Sequence, residues 1–159
     1  MNTSNAFNYK VLGVTLARGG SKGIPKKNIY DVNGTPLIAY TIKAALGAKL
    51  FTDYIVSTDC EEIAAVSKTY GANVPFMRPD ELSGDTVWSR DALQHAVKEM
   101  EKINNIKYDY VIELPCVSPL RSSDHVLEAF DNMIKEQSDS VTSVAMMQDK
   151  HPVRMKRIV

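Results

Sequence analysis

A basic, glycine-rich stretch at residues 17–28 has the residue types needed to bind an anionic ligand. Its sequence, ARGGSKGIPKKN, contains Arg18, Lys22, Lys26 and Lys27 and no acidic residue, so the pattern predicts uncompensated positive charge. Glycines let backbone N–H groups approach phosphate oxygens closely, while arginine and lysine side chains supply charge. We therefore expect a loop that wraps a triphosphate, with Arg18 and Lys22 as its principal cations. A solvated basic loop is the alternative interpretation.

The glycine spacing excludes two familiar phosphate-binding loops. Gly19, Gly20 and Gly23 do not follow the Gly-x-Gly-x-x-Gly pattern that runs directly into a helix, and the P-loop pattern is absent. Pro25 is expected to keep the chain extended before the next helix. The loop follows the apolar run YKVLGVTL at residues 9–16, which predicts a buried strand.

The overall charge makes this basic loop a local feature. The 159 residues contain 19 Lys and Arg against 19 Asp and Glu, whereas a general nucleic-acid or acidic-membrane binder would carry an excess of positive charge.

Cys60 and Cys116 lie far apart and form no metal-type pair. The N-terminal MNTSNAFNYK lacks the apolar core of a signal peptide, and no stretch is apolar for long enough to span a bilayer. We predict a cytoplasmic protein that binds a small anion.

Strand and helix patterns alternate along the whole chain. This alternation predicts one α/β domain over residues 1–159, with a mostly parallel sheet covered by helices on both faces. The predicted strands are 9–16, 53–58, 108–114 and 139–147, with a short extended segment at 73–79, and the predicted helices are 35–48, 59–72, 85–103 and 123–137.

Three individual residues carry further local expectations. Thr35 is expected to cap the first helix. Asp59 is expected to cap the second helix, with Glu62 completing a capping box, although contact with a ligand explains Asp59 equally well. Trp88, the single tryptophan, is expected to pack against the protein.

Polar residues follow three of the predicted strands at the points where they end. In an open parallel sheet, ligands bind beyond the carboxyl ends of the strands, so the loops after residues 16, 58 and 114 should face one edge. These loops carry Arg18 to Asn28, then Thr58 and Asp59, then Ser118 and Arg121.

Several segments together resemble the acylneuraminate cytidylyltransferases, the enzymes that make CMP-sialic acids. ARGGSKGIPKKN at residues 17–28 matches the first signature of that family without a break. NGTPLIAYTI, VSTD, RPDELSGDT and LPCVSPLR follow in the family's order. The resemblance implies a three-layer, Rossmann-like nucleotidyltransferase fold. It also implies transfer of CMP from CTP to the anomeric hydroxyl of a 2-keto sugar acid, with release of pyrophosphate.

The resemblance also implies roles for individual positions. Arg18, Ser21 and Lys22 match residues that bind the CTP phosphates, and Arg18 and Lys22 would act in catalysis by stabilising developing charge. Arg78 and Ser89 match positions that line the cytosine pocket. The nucleotide-binding set implied by the resemblance is Ala17, Arg18, Gly19, Gly20, Ser21, Lys22, Lys27, Asn28, Arg78 and Ser89.

One segment departs from the family pattern. Pro115, Cys116 and Val117 replace the family's Gln, Pro and Thr, so two polar positions that touch the sugar are lost. This departure favours a nonulosonate other than sialic acid. Ser118 and Arg121 remain candidates for substrate binding, with a turn and a surface position as their alternative roles.

The metal-binding Asp-x-Asp motif of the family has no counterpart at the end of this sequence. The resemblance implies Mg²⁺ as cofactor, with protein ligands expected beyond Val159, and predicts that the chain is an N-terminal portion of a longer enzyme. Two alternatives stay open, namely a cytidylyltransferase for a deoxyoctulosonate and a catalytically silent nucleotide-binding module or subunit. A homodimer is also open.

Overall fold

The computed structural model of the chain describes residues 9–21 and 23–144. Lys22 and residues 145–147 of the predicted last strand therefore lie outside the described residues.

A three-stranded parallel sheet forms the centre of the fold. Strand β1 (Val11–Leu16) lies between β4 (Asp53–Ser57) and β5 (Tyr110–Glu113), and Val14 of β1 is opposite Ile55 on one side and Glu113 on the other. The side chains of Val11, Leu12 and Val14 have no exposed surface, as expected for a strand that is covered on both faces. Because all three strands run in one direction, their carboxyl ends meet at one edge.

Helices connect these strands in chain order, and a further helix follows the last strand of the sheet. The helices are α1 (Leu37–Ala48), α2 (Glu61–Thr69), α3 (Ser89–Asn104) and α4 (Ser123–Lys135). A small antiparallel hairpin, β2 (Asp31–Val32) with β3 (Thr35–Pro36), precedes α1. The predicted α/β class with a parallel sheet is thus confirmed, and the predicted strands at 9–16, 53–58 and 108–114 begin and end within two residues of the observed ones.

The core on one face of the sheet comes from β1, β4 and α3. Leu12, Val14 and Ile55 form a buried cluster with Ala96 and Met100 of α3. Each Å² of apolar surface removed from water contributes about 25 cal/mol, so this cluster stabilises the packing of α3 against β1 and β4. It fixes β1, and therefore the start of the loop that follows β1.

Both predicted helix caps are wrong. Thr35 belongs to strand β3, opposite Val32, so α1 begins only at Leu37 after Pro36. Helix α2 begins at Glu61 after Cys60, with no side-chain cap, because the carboxylate of Asp59 is engaged elsewhere. Glu62 forms an ion pair with Lys26 instead of completing a capping box.

The predicted last strand is also wrong over the part that the structure describes. Residues 139–144 form no strand, although their β-branched composition favours one. A strand needs a hydrogen-bonded neighbour, and within the described residues none pairs with this segment. Residues 73–79 do run extended as predicted, with isolated parallel bridges from Asn73 to Ile55 and from Met77 to Thr58.

The chain divides into two compact units, Met1–Leu127 and Glu128–Val159. The sheet, the hairpin and helices α1 to α3 belong to the first unit, and the described part of the second contains the end of α4 and the irregular segment after it. The prediction of one domain over residues 1–159 stays a prediction. No helix in the described ranges has both the length and the apolar character needed to cross a membrane.

Candidate functional site

A cleft of about 350 Å³ opens at the carboxyl edge of the sheet. This volume lies within the range of small-molecule sites, roughly 300–1,000 Å³. Three segments of the first unit line the cleft: the loop after β1, the segment from Arg78 to Ala92, and the chain after β5. The predicted convergence at this edge is therefore confirmed for the loops after residues 16 and 114, whereas Thr58 and Asp59 do not line the cleft. The lining residues are Leu16, Arg18, Gly20, Ser21, Lys27, Asn28, Arg78, Leu82, Ser83, Gly84, Asp85, Val87, Trp88, Ser89, Ala92, Glu113, Pro115, Cys116 and Val117.

Hydrogen bonds to neighbouring segments hold the glycine-rich loop in place. The Ala17 N–H donates to the Ser57 carbonyl at 3.0 Å, and the Gly19 N–H donates to Asp59 Oδ1 at 2.9 Å. The Asn28 amide nitrogen donates to the Arg18 carbonyl at 2.9 Å and so closes the loop on itself. The first turn of the loop is therefore fixed before any ligand binds.

Two glycines of the loop serve different purposes. A Cβ atom on Gly19 would lie 3.0 Å from the Cβ of Cys60, so Gly19 allows the loop to pack closely against the start of α2. Among the described residues, apart from its two chain neighbours, a Cβ atom on Gly20 would meet no atom within 4 Å, although Gly20 lines the cleft. Packing within the chain does not require a glycine at position 20, whereas close approach of a ligand to the backbone would require one.

Acids distant in sequence pair with Arg18 and Lys26 of the loop, which corrects the prediction of uncompensated charge for these two residues. A nitrogen of the Arg18 guanidinium lies 2.8 Å from an oxygen of Asp85, and Lys26 Nζ lies 2.6 Å from Glu62. The hydrogen bond to Glu62 raises the pKa of Lys26. Arg18 lines the cleft and Lys26 does not, so the two pairs have different access to a ligand.

Arg78 forms a buried network on another wall of the cleft. Its side chain is only 4% exposed, its Nε donates to Ser83 Oγ at 3.0 Å, and Nη2 lies 3.6 Å from Asp59 Oδ1. Burial lowers the pKa of Arg78 from its usual value, and the nearby charge of Asp59 opposes that shift. An arginine remains protonated at neutral pH after such a shift, so the cleft has a fixed cation.

The start of α3 forms the next part of the wall. Ser89 is the first residue of the helix, and Trp88 lies immediately before it. Trp88 is 75% exposed and lines the cleft, so the prediction that Trp88 packs against the protein is wrong. The buried face of α3 is formed by Ala92, Ala96 and Met100. Trp88 lies before the first residue of the helix and is not part of this face.

The chain at the end of β5 gives the cleft a chemically different wall. Loss of water around its carboxyl raises the pKa of Glu113. Burial raises the pKa of Cys116 to about 12, against the opposing charges of Arg121 and Lys27. The Cys116 thiol is therefore protonated at neutral pH and is not a nucleophile.

The structure brings together seven of the predicted site residues around this cleft: Arg18, Gly20, Ser21, Lys27, Asn28, Arg78 and Ser89. Ala17 is fully buried at the base of the loop, and Gly19 lies against Cys60. Lys22 lies outside the described residues.

The two residues predicted to bind the sugar do not line the cleft. The Arg121 N–H donates to the Ser118 carbonyl at 3.1 Å, and the Arg121 side chain donates from Nη2 to the Pro115 carbonyl at 3.2 Å. Arg121 therefore braces the turn that carries Cys116 and Val117 into the wall.

Sequence reasoning missed several residues that determine the geometry of the site. Asp85 and Ser83 hold the two arginines, and both lie in the RPDELSGDT segment that was noted only for its resemblance. Asp59 was weighed as a cap or a ligand contact, but it holds Gly19 and Arg78. The resemblance of the RPDELSGDT segment could have marked it as part of the site. The partners of its side chains could not be read from the sequence.

The carboxylates of Asp59 and Asp85 pair with arginines at this edge of the sheet. Over residues 9–21 and 23–144, no group of three or more His, Cys, Asp or Glu side chains is placed to hold a metal ion. Magnesium is usually held by one or two carboxylates together with phosphate oxygens, so the ligands of the expected magnesium stay a prediction.

Comparison with known proteins identifies the family. The family model described as "Cytidylyltransferase" matches residues 12–157. The chain is 43% identical over 129 residues to the pseudaminic acid cytidylyltransferase of Campylobacter jejuni subsp. jejuni serotype O:23/36 (strain 81-176), covering 81% of this chain and 55% of the relative. It is 38% identical over 120 residues to the N-acylneuraminate cytidylyltransferase of Escherichia coli O18:K1:H7 (strain RS218 / NMEC), covering 76% of this chain and 27% of the relative.

A solved structure shows the same fold. CMP:2-keto-3-deoxy-manno-octonic acid synthetase complexed with CTP superposes with a TM-score of 0.65 at 23% identity, over 80% of this chain and 48% of that chain. The predicted Rossmann-like nucleotidyltransferase fold is thereby confirmed. The chain spans about half the length of the pseudaminic acid relative. Since the family model extends over nearly all of the sequence, from the first strand onward, the chain belongs to the cytidylyltransferase family.

Proposed function

We propose that the protein transfers CMP from CTP to the anomeric hydroxyl of a nonulosonate and releases pyrophosphate. The observation that carries this proposal is the single cleft in which Arg18, Ser21 and Lys27 lie with Arg78 and Ser89, in a chain of the cytidylyltransferase family. A triphosphate needs the cations, and a pyrimidine ring needs polar partners such as the buried Arg78 and the exposed Ser89.

In the proposed reaction, the anomeric oxygen forms a bond to the α-phosphorus of CTP. The bond from that phosphorus to the oxygen bridging to the β-phosphate breaks, pyrophosphate leaves, and the hydroxyl proton passes to solvent. Charge develops on the equatorial and leaving oxygens, so fixed cations stabilise the transition state more than the ground state.

The described residues have distinct parts in this proposal. Arg18 and Lys27 bind phosphate oxygens, the Gly20 backbone lets those oxygens approach, and Asn28 holds the loop through the Arg18 carbonyl. Arg78 and Ser89 bind the base. Lys22 completes the phosphate set as a prediction from sequence, since it lies outside the described residues. No covalent intermediate with the protein is required, because positioning and charge supply the catalysis.

The wall after β5 supports an acceptor sugar other than sialic acid. Pro115, Cys116 and Val117 present little hydrogen-bonding capacity there, and Cys116 is a protonated thiol. The relatives include pseudaminic acid enzymes at 42–43% identity, which makes pseudaminic acid the first acceptor to test.

A cytoplasmic location is proposed together with this activity, since both cysteines are free thiols. Magnesium dependence and a homodimer also stay predictions.

The test is a pyrophosphate-release assay on the full-length protein with CTP, magnesium and four separate acceptors: pseudaminic, legionaminic and N-acetylneuraminic acids and a 3-deoxyoctulosonate. We expect turnover with a nonulosonate, fastest with pseudaminic acid, and loss of that turnover in Arg18→Ala. Turnover with the deoxyoctulosonate alone would contradict the acceptor class. Binding of CTP without turnover of any acceptor would instead indicate a silent nucleotide-binding module.

A further inference from the structure

The cleft contains an acid that competes with its proposed ligand for the same cation. Arg18 and Asp85 both line the cleft, and their charged atoms lie 2.8 Å apart. Asp85 belongs to the segment between Arg78 and α3, on a different wall from the loop of Arg18. A carboxylate oxygen at this distance accepts a charge-assisted hydrogen bond from the guanidinium, as a phosphate oxygen does.

We infer that Asp85 is an internal competitor of the nucleotide phosphates for Arg18, and that CTP binding exchanges one partner for the other. This inference rests on the proposed function, because it requires a phosphate ligand in this cleft. Asp85 then affects the affinity of some ligands and not of others. A ligand whose phosphate reaches Arg18 must displace the Asp85 carboxylate. A ligand that does not reach Arg18 is unaffected by Asp85.

The exposure of the pair makes such an exchange feasible. The Arg18 and Asp85 side chains are 36% and 43% exposed, so neither group is stranded in an apolar interior when the pair opens. An exposed ion pair contributes at most about fivefold to an equilibrium constant, which a multiply charged phosphate can exceed. The Arg78–Asp59 pair differs because its side chains are 4% and 17% exposed, and Asp59 also accepts from the Gly19 N–H. Opening that second pair would leave a buried charge, so it does not exchange.

A positioning role for Asp85 predicts the opposite change in CTP affinity when its carboxylate is removed. If Asp85 served to hold Arg18 in the right place for phosphate, removing the carboxylate would weaken CTP binding. If Asp85 competes, removing it strengthens binding. The direction of the change therefore distinguishes competition from positioning.

The test compares CTP, inorganic tripolyphosphate and cytidine by calorimetric titration of the full-length protein. We expect Asp85→Asn and Asp85→Ala to bind CTP and tripolyphosphate about two- to fivefold more tightly than the wild type, the range of an exposed ion pair. Cytidine, which has no phosphate, should bind all three proteins equally. Asp80→Asn is the matched control, because Asp80 is an exposed acid of the same segment that does not line the cleft, and it should change none of these affinities by twofold.

A double-mutant cycle with Arg18→Ala isolates the pair. In the Arg18→Ala background, Asp85→Asn should no longer tighten CTP or tripolyphosphate binding. Equal or weaker phosphate binding by both Asp85 variants, or a gain that persists without Arg18, would overturn the inference. If the wild type fails to bind CTP but the Asp85 variants still bind tripolyphosphate more tightly, the proposed function fails and the competition stands. If neither probe binds any of the proteins, both proposals are contradicted.

Discussion

Two arginines reach the same cleft, and their surroundings give them different roles. Arg18 is paired at 2.8 Å with Asp85 at the exposed mouth, whereas Arg78 is buried with Asp59 at 3.6 Å and donates a hydrogen bond to Ser83. The shorter pair is the more replaceable one, because water and ligand can take over its bonds. Burial therefore decides which cation holds the fold together and which one is available to exchange partners.

The difference in burial between the two arginine–aspartate pairs should have its largest effect on the free energy of unfolding. Asp59→Asn removes the charge that compensates buried Arg78, so we expect a loss of about 3 kcal/mol in the free energy of unfolding. Asp85→Asn removes the partner of an exposed arginine and should change that free energy by less than about 1 kcal/mol. Urea denaturation of the two variants of the full-length protein measures both values. Equal losses would mean that burial does not separate the two pairs.

The affinity for CTP should depend on the exposed Arg18, whose pair contributes little to stability. Arg18→Ala removes a charge-assisted bond to phosphate, worth about 1.5–3 kcal/mol, and should weaken CTP binding by at least about tenfold while thermal stability is unchanged. The control is Lys26→Ala, which breaks another exposed ion pair of the same loop but one that lies away from the cleft. We expect Lys26→Ala to alter CTP affinity by less than about twofold. A similar loss in both variants would point to the general charge of the loop instead of a site at Arg18.

The smallest expected effect is a spectroscopic one at the same mouth. Trp88 is the single tryptophan of the chain, and it lines the cleft with 75% of its side chain exposed. Bound CTP should reduce the quenching of its fluorescence by acrylamide, because the ligand shields part of the ring. Unchanged quenching at saturating CTP would place the nucleotide away from Trp88 and the segment that carries Asp85.

The framework that carries this site could be predicted from sequence because it depends on local patterns. Apolar, β-branched runs gave β1, β4 and β5, and the parallel order of those strands brought their following loops to one edge. The caps were predicted wrongly because tertiary contacts outcompeted local ones. Asp59 is held by Gly19 and Arg78, and Glu62 is held by Lys26.

The electrostatics of the site could not be predicted in the same way. The loop at residues 17–28 contains no acid, yet Arg18 and Lys26 are paired with carboxylates 67 and 36 positions along the chain, at residues 85 and 62. Such pairs depend on how loops pack together, and hydrophobic periodicity contains no information about that packing. The burial of Arg78 is a similar case, since its position was singled out by resemblance and its partners became evident only in the structure.

A crystal structure of the full-length protein with CTP would show directly whether the nucleotide takes Arg18 from Asp85. We expect phosphate oxygens bound by Arg18 and by the backbone at Gly20 and Ser21, with Arg18 separated from Asp85 and the Arg78–Asp59 contact retained. CTP phosphates bound elsewhere, with the Arg18–Asp85 pair intact, would contradict this expectation.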